Sequence, residues 1–114
     1  MKKLQNNFTT PEQSKRLLEL GVPEWTADCF YKLDLYSFKT EMCFTKEDSL
    51  LHHYTPCWSV GRLIEIFETC TSTKFERWSH RGAIRPLLED CIEHIEFALN
   101  PDTIIKMDFS KLEE

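Results

Sequence analysis

The sequence predicts an α+β domain: a small antiparallel sheet of about three strands packed against two main helices, with a capped helix ahead of them. Three observations predict it. Apolar residues recur at helical spacing over 60–71 and again over 84–99; they alternate with polar ones over 31–45 and 72–78; and a T-x-x-Q capping box, Thr10 to Gln13, opens the chain's first regular element.

In the first helix Thr10 caps, Pro11 takes the first helical position, and Leu17, Leu18 and Leu20 follow until Gly21 supplies a left-handed residue past the end. Pro23 opens a short second helix reaching Cys29. From Phe30 to Phe38 the period becomes two, with Tyr31, Leu33 and Leu35 alternating with Lys32 and Asp34, and Glu41 to Thr45 supplies the return strand of a hairpin. Lys46 to Ser49 reads as loop, and residues 50–55 fit either strand or loop. An extended segment turning at Pro56 then runs into the central helix, for which Ser59 is the favoured N-cap over Thr55, because a hydroxyl oxygen accepts an orphan first-turn N–H. Val60, Leu63, Ile64, Phe67 and Thr71 form one stripe on it. Trp58 and Ile66 lie off that stripe, so the helix meets a second apolar surface and belongs in the middle of the fold.

Ser72 to Trp78 alternates as a third strand. In the last helix Ile84, Leu87, Leu88, Cys91, Ile92, Ile95, Ala98 and Leu99 make a regular core stripe, with Pro86 in the first turn and Asn100-Pro101 at the end. Residues 103–109 fit a strand or an extended tail. The ends, 1–8 and 110–114, are expected to be flexible around a single globular domain spanning 1–114.

Composition narrows the function classes. With 41% hydrophobic residues, 14 aromatics and only 3 glycines, the chain has the makings of a packed core and no linker that would divide it. A formal charge of −5 disfavours a general nucleic-acid binder, which needs surplus Lys and Arg to neutralise phosphates, but suits a basic protein partner. No apolar run is long enough for a bilayer and none follows Lys2-Lys3 as in a secretory leader, so the expectation is a cytoplasmic protein with no membrane role. Cys29, Cys43, Cys57, Cys70 and Cys91, odd in number and with no C-x-x-C, read as reduced thiols.

Three stretches, Phe8 to Pro23, Pro56 to Glu65 and Asp108 to Glu113, resemble a group of small uncharacterised proteins from prophages and mobile elements of gut bacteria. The resemblance implies a cytosolic accessory protein of a mobile element. It brings no assigned catalytic or binding residues.

The residues that chemistry would use are sparse. Neither Cys91/His94 at i, i+3 nor His52, His53 and His80 supply the paired ligands of a structural zinc, so no metal and no cofactor is expected. A Cys/His hydrolase on Cys57 or Cys91 lacks an evident base and is an unfavoured alternative. Glu89, Asp90, Glu93 and Glu96 read as the solvated face of the last helix, and Phe97 sits among them, well away from the core stripe; Phe97, Asp90 and Glu93 are therefore a candidate partner surface. Lys74, Arg77, Trp78, Arg81 and Arg85, with Phe75 and His80 between them, are a candidate anion or nucleic-acid site leading to Gly82. The favoured expectation is a non-enzymatic protein-interaction module, binding another protein or itself; the alternative is a weak nucleic-acid or nucleotide binder on the basic segment.

Overall fold

A computed structural model describes residues 7–46, 51–77 and 86–112 and shows the α+β architecture, with three α-helices and a three-stranded antiparallel sheet among the described residues. The helices are α1 (Pro11–Leu20), α2 (Val60–Thr71) and α3 (Leu87–Leu99); the strands are β1 (Cys29–Asp34), β2 (Thr40–Cys43) and β3 (His52–Cys57), in the order β2-β1-β3.

Local chemistry fixes the ends of the helices. Thr10 Oγ1 accepts from the Gln13 N–H while the Gln13 side chain accepts from the Thr10 N–H, and Gly21 closes α1 at φ +104°, a conformation that glycine adopts without a Cβ penalty. Ser59 caps α2 as expected and is itself held: its hydroxyl donates to Asp28 Oδ2 at 2.6 Å and its N–H to Asp28 Oδ1 at 2.9 Å. Pro86 precedes α3, and Asn100 ends it. The 3-10 turn Glu24–Thr26 takes the place of the expected second helix, and a second one, Phe109–Leu112, packs Phe109 and Leu112 on the core.

The core lies between the helices. Leu63, Ile66, Phe67 and Cys70 of α2 meet Leu88, Cys91, Ile92, Ile95 and Ala98 of α3, with Leu17, Val22 and Trp58 closing one end. The buried face of α2 is thus rotated from the expected stripe: Ile66 is fully buried, whereas Val60, Ile64 and Thr71 are only partly so. The rotation comes from packing on two sides, since α2 touches α3 on one flank and the 3-10 turn at 109–112 on the other. Trp58 is fully buried and donates its indole N–H to Thr26 Oγ1 at 3.0 Å, and the Thr26 hydroxyl in turn donates to the Pro23 carbonyl at 2.7 Å, so the polar atom of the buried indole is satisfied.

The third strand is not where the alternation of 72–78 puts it. Residues 72–77 are irregular, because the Phe75 N–H goes to the Glu68 carboxylate (2.9 Å) and the Glu76 carbonyl to His94 (2.7 Å), not to a neighbouring strand. The third strand is β3, within a stretch that fits strand or loop by sequence. It tolerates Pro56 because Pro56 stands opposite Phe30 at a pair that exchanges no ladder hydrogen bonds, so the missing N–H faces the sheet's outer edge. Residues 103–109 form turns and irregular chain rather than a strand. Trp78, His80, Arg81, Gly82, Ile84 and Arg85 lie outside the described residues.

Candidate functional site

Two regions carry candidate sites. The first is where 72–77 crosses α3. Asp90, read from sequence as part of a solvated acidic face, is fully buried: α3 turns it towards that segment, where Arg77 Nε donates to its Oδ2 at 3.2 Å and His94 Nδ1 lies 3.3 Å from Oδ1. His94 is also buried. Its Nδ1 is 2.7 Å from the Asp90 carbonyl oxygen and its Nε2 2.7 Å from that of Glu76, while its ring stands edge-on to Phe67 and tilted over Phe75. These contacts fasten the irregular segment to the helix.

Lys74, Arg77 and Phe97 line one cleft of about 320 Å³ here, over Phe67 and Ile105. The structure thus brings together two sets of residues that the sequence kept apart, the basic segment and the aromatic on the acidic helix. Phe97 is 44% exposed and Glu93 partly buried, so of the suggested partner surface Asp90 drops out. The rest of that acidic face is not simply solvated either, because Arg16 of α1 pairs with Glu89 and Glu96, and Gln13 donates to Glu89. Arg77 turns inward to a carboxylate, which offsets the charge it would offer a phosphate.

The second region is the end of the sheet remote from the helices, and sequence reasoning missed it. The alternation from Phe30 to Phe38 predicts one half-buried strand, but β1 stops at Asp34. The Asp34 carboxylate accepts the N–H of Tyr36 at 2.8 Å and of Ser37 at 3.4 Å, which holds its acid group below the usual carboxylate range and turns the chain. The turn leaves Leu35, Tyr36 (88% exposed) and Phe38 (75% exposed) in solvent, with Leu51 exposed beside Leu35. Phe38 sits at φ +60°, where glycine or asparagine is the unstrained choice. The signal available in the sequence was the Asp34-Leu35-Tyr36-Ser37 run, since aspartate two residues ahead of a turn is a recognised turn former.

Along β2, towards the helical end, a groove of about 710 Å³ runs between this strand and the start of α1, lined by Phe8, Pro11, Tyr31, Met42 and Phe44. Tyr31 donates its hydroxyl to the Thr9 carbonyl at 2.7 Å, and burial pushes its phenol up.

The thiols are differently placed from the all-reduced set expected. Cys29 and Cys57 face each other in the β1/β3 register, fully buried with Cα atoms 5.2 Å apart, and form a disulfide. A separation of 28 residues concealed the pairing, which only the strand register creates. Cys43, Cys70 and Cys91 are free. Burial, followed by the Asp90 charge, pushes the Cys91 thiol up to about 12, so neither Cys57 nor Cys91 supplies the thiolate that a hydrolase would use at neutral pH. Among the described residues no group of His, Cys, Asp and Glu is placed to hold a metal ion, and no helix is long and apolar enough to cross a membrane.

No protein family, curated protein or solved structure matches this chain.

Proposed function

We propose that the protein is a non-enzymatic interaction module that docks a protein partner through the β1–β2 turn. The observation that carries this reading is Phe38. A bulky residue in the left-handed region costs roughly 1–2 kcal/mol against glycine, and here the cost falls on a side chain that is three-quarters exposed and contributes nothing to the core. The left-handed backbone closes the β1–β2 turn, with the Phe38 N–H donating to the Asp34 carbonyl at 2.7 Å, and glycine or asparagine would supply that geometry without strain, so a phenylalanine there marks a side chain kept for an external contact. Tyr36 beside it is an aromatic of the kind that anchors interfaces.

The test is Phe38→Gly. Relief of the left-handed strain raises the unfolding midpoint, while capture of the partner from the protein's own cells falls at least tenfold. An unchanged set of captured proteins would overturn the reading, as would a loss of stability.

The role of a cytosolic accessory protein of a mobile element belongs to the same proposal. The disulfide is the feature that weighs against a reducing compartment, since such bonds persist where the surroundings are oxidising. Acid-quenched alkylation of the protein in its own cells decides this: Cys29 and Cys57 alkylated without prior reduction place it in a reducing compartment.

A further inference from the structure

We draw no further inference here: the strongest candidate, the apolar groove of about 710 Å³ between β2 and the start of α1, carries nothing because nothing among the described residues shows what covers it.

Discussion

The helical end and the sheet end of this molecule are built on opposite terms. At the helical end, large side chains are fully buried and even the polar ones are tied in: Trp58 through Thr26, and Asp90 and His94 through the segment at 72–77. At the sheet end, Leu35, Tyr36, Phe38 and Leu51 face solvent, and one of them holds a strained backbone. What the difference teaches is where stability and recognition reside. A small domain has little stability to spare, about 5–15 kcal/mol, so apolar area left outside the core has a use elsewhere.

The sharpest way to break this contrast is to cut into the helical end. Trp58→Ala removes the largest fully buried side chain and leaves the Thr26 hydroxyl without its donor; a loss of about 3–5 kcal/mol is expected from urea unfolding, enough to consume much of the total. A loss under 1 kcal/mol would show that the core is not centred there. His94→Ala comes next, at about 2–3 kcal/mol, because it empties the space between Phe67 and Phe75 and releases the Asp90 and Glu76 carbonyls. Limited proteolysis should show a new cut within 72–77 as the segment comes away from α3.

The smallest effect separates the two ends by thiol chemistry. Cys43, on the sheet, should be alkylated first in the native protein at pH 8. Cys91 should react about a thousandfold or more slowly than an unfolded-chain thiol, since its group is pushed up to about 12 by burial. The same raised group fixes a sign: the folded protein retains a proton that the unfolded chain releases above about pH 8.5, so stability falls as pH rises from there towards 12. Comparable alkylation rates at Cys43 and Cys91 would show that α3 opens readily.

By itself the sequence determined what local chemistry determines. The capping box at Thr10, Gly21 past α1, Ser59 ahead of α2, Asn100 after α3 and the hairpin of β1 and β2 all follow from interactions between residues a few positions apart, which remain the same in any fold that contains them. The core stripe of α3 was legible for the same reason. Only the tertiary structure decided that 52–57 rather than 72–78 completes the sheet, that Asp90 and His94 face inward, and that Cys29 meets Cys57. Period-two alternation states that a segment has two faces and says nothing of which backbone takes up its hydrogen bonds. An aspartate on a helix is solvated or buried according to what crosses above it. The exposed aromatics of the β1–β2 turn were concealed in the same way, because an apolar residue reads as core until the rest of the chain has packed and left it outside.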